Sequence, residues 1–280
     1  MSNLLNANVR IHNSNENSVV LRIYPDAPIM KYLPGQYGSL GLISDKGKKL
    51  VKRAYSIACS MIDVKTGILA EPNENEYLEF YINRVDLEKP KREQITPKIF
   101  NLKDGDRIFC GEKIIGHYTI PKNLDWENIL LISTHTGESP NNSIVNYLIK
   151  SESKIKICNI NVGNNWQSIY QREHELLQKL FKNYKFIQFF DQSENYKGLL
   201  NFIDKVLFDD GTSEKKLGFK MNDKTLIMLC GDPMMIGAPI KKGGWEYVYP
   251  DYGLVNLFKN KSYEITTRFK KGNIVYESYW

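Results

Sequence analysis

Apolar and polar residues alternate in short runs over the first 120 positions of the chain. Residues 9–11, 18–24, 37–42, 53–58, 77–85 and 107–110 carry the period of two that sends side chains to opposite faces of a strand. Gly, Pro, Asp and Asn separate these runs, and such a series of short strands predicts an antiparallel barrel. Gly67 and the Glu-Pro-Asn-Glu-Asn run at 71–75 mark a hairpin loop. Residues 95–102 have helical spacing, with Thr96 expected as N-cap and Pro97 as the first helical residue.

Beyond residue 128 the rhythm changes. The continuous apolar run at 129–132 is what a strand buried on both faces requires. A helix near 142–150 follows, then strand 155–162, helix 167–182, strand 185–190, helix 199–207 and strand 225–229. Strands alternating with helices predict a parallel sheet covered on both faces. The boundary is expected within 121–126, which gives a barrel unit of residues 1–122 and an α/β unit of residues 123–280. Segments 208–224 and 237–252 read as surface insertions, and no internal repeat is found.

Composition narrows the class. Hydrophobic residues make up 42% and charged residues 25% of the 280, as in an ordinary globular protein. No run of 18 apolar residues occurs, so no membrane span is expected. Residues 1–8 lack a basic stretch followed by an apolar one, so no secretory signal is expected and the expected location is cytoplasmic. The cysteines at 59, 110, 158 and 230 are far apart, without metal-cluster spacing, so free thiols and no metal site are expected. A formal charge of +6 suits an acidic protein partner, and the absence of a dense basic block with aromatics argues against nucleic acid.

The most informative stretch is Arg53-Ala54-Tyr55-Ser56, which follows Pro34-Gly35-Gln36-Tyr37. On a strand, Arg53 and Tyr55 share a face and Ser56 takes the other. A guanidinium binds a pyrophosphate bidentately, a phenol ring stacks on a flat heterocycle, and a hydroxyl bonds a ring nitrogen. These are the needs of a bound flavin dinucleotide. By itself the tetrapeptide also fits an ordinary strand with an exposed Arg and a half-buried Tyr.

Further segments follow in a recognisable order: Glu79-Phe80-Tyr81-Ile82, Ile95-Thr96-Pro97-Lys98-Ile99, Leu102-Lys103-Asp104-Gly105-Asp106, Leu229-Cys230-Gly231-Asp232-Pro233 and Tyr276-Glu277-Ser278-Tyr279-Trp280. With these, the chain resembles the bacterial-type ferredoxin/flavodoxin–NADP reductases over nearly its whole length. The resemblance is strongest in the first 120 residues and weakest between about 134 and 225. It implies a flavin-binding β-barrel followed by a Rossmann-like nucleotide-binding domain. It also implies FAD as cofactor, NADP(H) as substrate with NADH possible, and an acidic ferredoxin or flavodoxin as partner.

The resemblance assigns roles residue by residue. Arg53 and Thr96 would hold the flavin pyrophosphate, Ala54 would lie along it, Tyr55 would stack on the isoalloxazine, and Ser56 would bond near its N5. Tyr81 and Ile82 would pack along the adenine or ribityl portion; packing inside the protein is the other reading of Tyr81. The Cys230 thiol would sit near the nicotinamide, although a buried thiol at a strand end has a structural reading too. Glu277 would transfer a proton or position the cofactor. Tyr279 or Trp280 would stack on the flavin, unless the tail is a last strand docked by its aromatics.

Two departures stand out. Relatives carry a loop of the form Thr-Gly-Thr-Gly-Ile-Ala-Pro where this chain has Thr134-His135-Thr136-Gly137-Glu138-Ser139-Pro140. Thr134, Thr136 and Pro140 match, but His135 replaces a Gly and Glu138 replaces an aliphatic residue. A carboxylate beside phosphate is unfavourable unless it points away. The arginines that usually meet the 2′-phosphate are also missing from 162–167 and 190–194, and Tyr170, Arg172 and Lys197 are the nearby candidates to compensate. Two alternatives therefore stay open: an NAD(P)H-dependent free-flavin or oxygenase-coupled reductase, and a flavin-binding module that has lost nucleotide turnover.

Overall fold

A computed structural model describes residues 4–45, 49–72, 74–84, 94–121, 125–208, 212–242 and 246–279. Six antiparallel strands close a barrel in the order β1-β2-β5-β4-β3-β6. They are β1 (Ala7–Ser14), β2 (Ser18–Pro25), β3 (Tyr37–Ile43), β4 (Leu50–Ala58), β5 (Leu78–Asn83) and β6 (Arg107–Cys110). Inward-facing Val9, Leu21, Leu40, Ile57, Phe80 and Ile108 fill it. Each of these is at most 1% exposed, as the alternation requires.

Helix α1 (Thr96–Ile99) packs Ile99 into the barrel core. It is a single turn rather than the expected eight residues. Ile95 is its N-cap, with no side-chain cap bond, and Thr96 is its first helical residue. The Thr96 hydroxyl is thereby released to face β4.

The second half alternates strands and helices: β7 (Asn128–Thr134), α2 (Glu138–Lys150), β8 (Lys156–Gly163), α3 (Gln171–Leu180), β9 (Tyr184–Phe190) and α4 (Lys197–Phe208). Then come α5 (Thr212–Leu217), β10 (Thr225–Gly231), α6 (Pro233–Ile236), the hairpin β11 (Ile240–Lys242) and β12 (Glu246–Val248), α7 (Gly253–Lys259) and β13 (Ile274–Ser278). The sheet is parallel in the order β13-β10-β7-β8-β9. After β7 the chain builds outward through β8 and β9, then returns to the other side for β10. That makes the β7/β10 boundary the topological switch point, where ligands of open α/β sheets bind at the strand carboxyl ends.

Two expectations need correction. Segment 208–224 is not only a surface insertion, because Leu217 and Phe219 are 1% exposed and belong to the core between α4, α7 and the sheet. Segment 237–252 carries the β11–β12 hairpin, and α7 and β13 follow it as ordered elements. No helix among the described residues is long and apolar enough to cross a membrane.

The barrel and the sheet share one core. Val20, Met61 and Tyr81 of the barrel half pack with Ile129, Leu131 and Ile144 of the α/β half. Helix α2 lies across the junction and offers amides and hydroxyls to barrel backbone. Ser143 Oγ donates to the Ile57 carbonyl at 2.8 Å, and Asn146 Nδ2 donates to the carbonyls of Met61 at 2.9 Å and Ala70 at 3.2 Å. These bonds satisfy carbonyls that a purely apolar helix would leave buried and unpaired.

Candidate functional site

The barrel side of the junction is built on β4 and α1. Arg53 and Tyr55 share a face of β4 and are half-buried, while Ala54 between them is exposed. The Arg53 guanidinium donates to the Lys52 carbonyl at 2.8 Å. The Tyr55 hydroxyl stands 3.4 Å from Thr96 Oγ1, so strand and helix turn bring together groups 41 positions apart. Ser56, on the opposite face, is 7% exposed and turns toward the α/β half.

There it meets the end of the chain. Ser56 Oγ lies 2.8 Å from the Tyr279 hydroxyl, across 223 positions. Tyr279 continues β13, its N–H donating to the Gly231 carbonyl at 2.9 Å, and its hydroxyl lies near the Cys230 thiol. The parallel register sets Glu277 directly beside Cys230. Burial pushes the Cys230 thiol well above its usual range, so it stays a neutral S–H. Burial also pushes the Glu277 carboxyl up to about 7. Glu277 Oε2 is buried and has no hydrogen-bond partner in the protein, which marks a group with unspent bonding capacity.

Tyr118 joins this cluster, although the sequence offered no motif for it. It is 1% exposed, donates to Asn141 Oδ1 at 2.7 Å, and lies near Cys230 and Glu277. The only sequence signal was indirect: Asn141, Asn142, Ser143 and Asn146 put amides and a hydroxyl on a helix that must be buried. Tyr81 and Ile82 depart from the expectation. Each is 2% exposed, Tyr81 edge-on to Tyr170 at 5.7 Å and Ile82 inside the barrel, so neither side chain reaches a ligand surface. Trp280 lies outside the described residues.

The loop after β7 places its two unusual residues, His135 and Glu138, in different surroundings. His135 has φ 51°, in the left-handed region that glycine adopts without cost, which is why a Gly suits this position. Its ring lies 5.6 Å from that of Trp166, on the loop after β8. Burial lowers the His135 pKa, with Asp232 acting weakly in the opposite sense. Glu138 turns away from the strand ends. It is fully buried, with Oε1 accepting from Ser168 Oγ at 2.5 Å and lying 2.7 Å from His174 Nε2. His174 Nδ1 in turn lies 2.7 Å from the Tyr184 hydroxyl, and its ring stacks on Phe186 at 3.9 Å.

From Ser168 the polar chain continues into the barrel. Ser168 Oγ accepts from the Tyr170 N–H, and the Tyr170 hydroxyl donates to Glu79 at 3.2 Å. Glu79 also accepts from Ser60 at 2.7 Å and pairs with Arg22 at 3.1 Å. The carboxyl group at 138 therefore anchors the loop after β7 to Ser168 and to His174 of α3.

Thr134 and Thr136 serve the same loop in different ways. Thr134 is 1% exposed and its Oγ1 accepts the Asp232 N–H at 2.8 Å, tying the end of β7 to the end of β10; Thr136 is half-buried. The two loops meet flush. A Cβ on Gly137 would stand 2.3 Å from the Cys230 carbonyl oxygen, and one on Gly231 would stand 2.2 Å from Thr134 Oγ1.

Beyond them, at the ends of β8, β9 and β10, opens a cleft of about 590 Å³. Asn164, Gln192, Tyr196, Asp191 and Asp232 are among its lining residues, and no Lys or Arg is among those described. Tyr170 cannot compensate, since it is buried with its hydroxyl on Glu79.

The donor set fits a flavin dinucleotide. Arg53 and Thr96 supply a cation and a hydroxyl for a pyrophosphate, Tyr55 a ring, Ser56 a hydroxyl, and Glu277 an unsatisfied carboxyl oxygen.

No protein-family model matches the chain. A flavodoxin/ferredoxin–NADP reductase of Buchnera aphidicola (subsp. Schizaphis graminum) is 28% identical over the whole of both chains. The protein of that name from Shigella flexneri is 29% identical, over 75% of this chain and 78% of its own. A ferredoxin NADP+ reductase from Neisseria gonorrhoeae, solved with bound FAD and NADP, has the same fold, with a TM-score of 0.71, 15% identity and 97% of each chain covered. With the barrel, the parallel sheet and relatives that run the full length of the sequence, the chain is similar from end to end to the flavodoxin/ferredoxin–NADP reductases and shares their fold.

Proposed function

We propose that this protein is an FAD-dependent oxidoreductase passing electrons between NADP(H) and a ferredoxin or flavodoxin. One observation carries the reading. Ser56 of the barrel and Tyr279 of the sheet meet in a direct hydrogen bond, with Cys230 and Glu277 paired beside them, at the end of the strand that carries Arg53 and Tyr55 on its other face. The division at residues 122 and 123 belongs to the same proposal: the first unit holds the flavin and the second brings the nucleotide to it. A formal charge of +6 favours an acidic partner, and four free cysteines accord with a cytoplasmic location.

The bound flavin would supply hydride and one-electron chemistry at the junction. Arg53 and Thr96 bind its pyrophosphate, and Tyr55 lines the same face. Ser56 offers a hydroxyl where the ring edge arrives. Tyr279, now bonded to Ser56, would be the ring that covers a bound flavin. Cys230, neutral and apolar, excludes water beside the nicotinamide position. Glu277, with its raised pKa, holds a proton there near neutrality. Glu138, anchored to Ser168 and His174, leaves the strand ends free of its charge, which favours turnover over a flavin-binding module without it.

The purified protein is expected to be yellow. Arg53→Ala should weaken FAD by about 1.5–3 kcal/mol, the scale of one charge-assisted contact, or roughly ten- to a hundredfold in Kd. Fluorescence titration of the apoprotein with FAD measures this. A colourless protein that FAD cannot reconstitute overturns the reading.

Glu277 gives a pH prediction. Its pKa is raised from the ordinary carboxyl value to about 7, so the neutral form dominates below that pH. Flavin reduction should slow as pH rises through about 7, and Glu277→Gln should flatten that limb in stopped-flow measurements. Stability follows the same sign: the contribution of this group is present below the unfolded carboxyl pKa and is lost as pH rises through about 7. An unchanged limb in the Gln variant assigns the titration to another group.

A further inference from the structure

The cleft at the ends of β8, β9 and β10 is built to hold hydroxyls rather than a second phosphate. Amides and a phenol line it through Asn164, Gln192 and Tyr196. Its charged members among the described residues are two carboxylates, Asp191 and Asp232. Arg172, the second residue of α3, and Lys197, the first of α4, are exposed and neither lines the cleft.

The feature that would best attract an anion is already occupied. Helix α4 is 12 residues long and starts at the cleft, so its first N–H groups and its dipole favour negative charge there. Asp191 takes that place. Its Oδ2 accepts the Leu199 N–H at 2.7 Å, and its Oδ1 accepts the Ser193 N–H at 2.8 Å. Ser193 Oγ, itself bonded to Asp191, accepts the Gly198 N–H at 2.8 Å. Asp191 is only 5% exposed, so this carboxylate is a built part of the cleft floor. Asp232 is likewise held, with the Tyr196 hydroxyl donating to Oδ2 at 2.8 Å and the Met234 N–H to Oδ1 at 2.7 Å.

A 2′-phosphate placed here gives up water and meets carboxylates instead of a guanidinium or ammonium. A ribose with a free 2′-hydroxyl meets acceptors and amides that match it. We infer that the 2′-phosphate adds nothing to nucleotide binding in this protein, so that NAD(H) is bound at least as well as NADP(H). The inference rests on the reductase reading of the preceding section and specifies the nucleotide for that site.

Calorimetric titration of the FAD-loaded protein with NAD⁺ and NADP⁺ at one ionic strength tests it, alongside flavin reduction by NADH and NADPH. The expected Kd for NAD⁺ is equal to or below that for NADP⁺. Asp191→Asn should shift the ratio toward NADP⁺ severalfold. Because Asp191 also caps α4, Gln192→Arg is the second variant, and it should shift the ratio toward NADP⁺ about tenfold, the scale of one charge-assisted contact. NADP⁺ binding tenfold tighter in the wild type overturns the inference, as does a ratio unmoved in both folded variants. Binding of neither nucleotide overturns it as well. Binding without flavin reduction leaves the inference standing and overturns the reductase reading alone.

Discussion

His174→Ala is expected to destabilise the fold by about 3–5 kcal/mol, combining the lost packing of a buried ring with a buried carboxyl left without its hydrogen-bond partner. His174 and Glu138 are both without solvent exposure and 2.7 Å apart. Removing the imidazole leaves Glu138 with Ser168 as its remaining partner, and Glu138 Oε2 already has none. The variant also forfeits the stack on Phe186 and the contact with Tyr184. Urea unfolding followed by far-UV circular dichroism measures the loss as a lower midpoint.

The cycle through Glu138→Leu discriminates between causes. Once the carboxyl is gone it is no longer a buried polar group short of partners, so the double variant Glu138→Leu/His174→Leu should be more stable than His174→Ala alone. Because Glu138 follows Gly137 directly, His174→Ala should also weaken nucleotide binding more than FAD binding. A cost below about 1 kcal/mol for His174→Ala would mean that the pair contributes little and that other contacts fix the loop.

Gly231→Ala is expected to cost about 2–5 kcal/mol, combining an unfavourable left-handed backbone with overpacking. Gly231 has φ 126°, and its Cβ would stand 2.2 Å from Thr134 Oγ1 and 2.7 Å from the Thr134 carbonyl oxygen. The hydroxyl has nowhere to go without breaking its bond to the Asp232 N–H. The ends of β7 and β10 must then separate, and Cys230, Glu277 and Tyr279 move with β10 and β13. The expected result is a lower unfolding midpoint together with slower flavin reduction. Gly67→Ala is the control, since Gly67 also has a positive φ but nothing lies within 4 Å of its Cβ. Equal losses in the two variants would trace the effect to backbone conformation and not to the junction of the loops.

The two architectures were legible from pattern because the signals are local. Alternation over the first 120 residues and the apolar run at 129–132 report which faces are buried, and burial on one face or two separates barrel strands from parallel ones. The placement of Arg53, Tyr55 and Ser56 on one strand, with Ser56 on the opposite face, was legible from alternation alone. Helix limits were less legible: α2 begins at Glu138 rather than near 142, because its first turn is polar and shows no apolar period. Tyr81 was misplaced because alternation says that a strand has two faces but not what covers each. Here Tyr170 and the shared core cover the face that carries Tyr81.

The meaning of Glu138 was out of reach from pattern. Beside a phosphate-type loop it reads as a defect, yet its partners Ser168 and His174 lie 30 and 36 positions away, on the far side of a strand. Asp191 reads as an unremarkable loop residue until the fold lays it on the first turn of α4 and inside the cleft. The Ser56–Tyr279 contact spans nearly the whole chain and exists because β13 adds beside β10, which adds beside β7. Periodicity records whether a side chain meets water or protein. Which protein group it meets depends on strand order and on how loops close over the sheet, and these are set by contacts between segments remote in sequence.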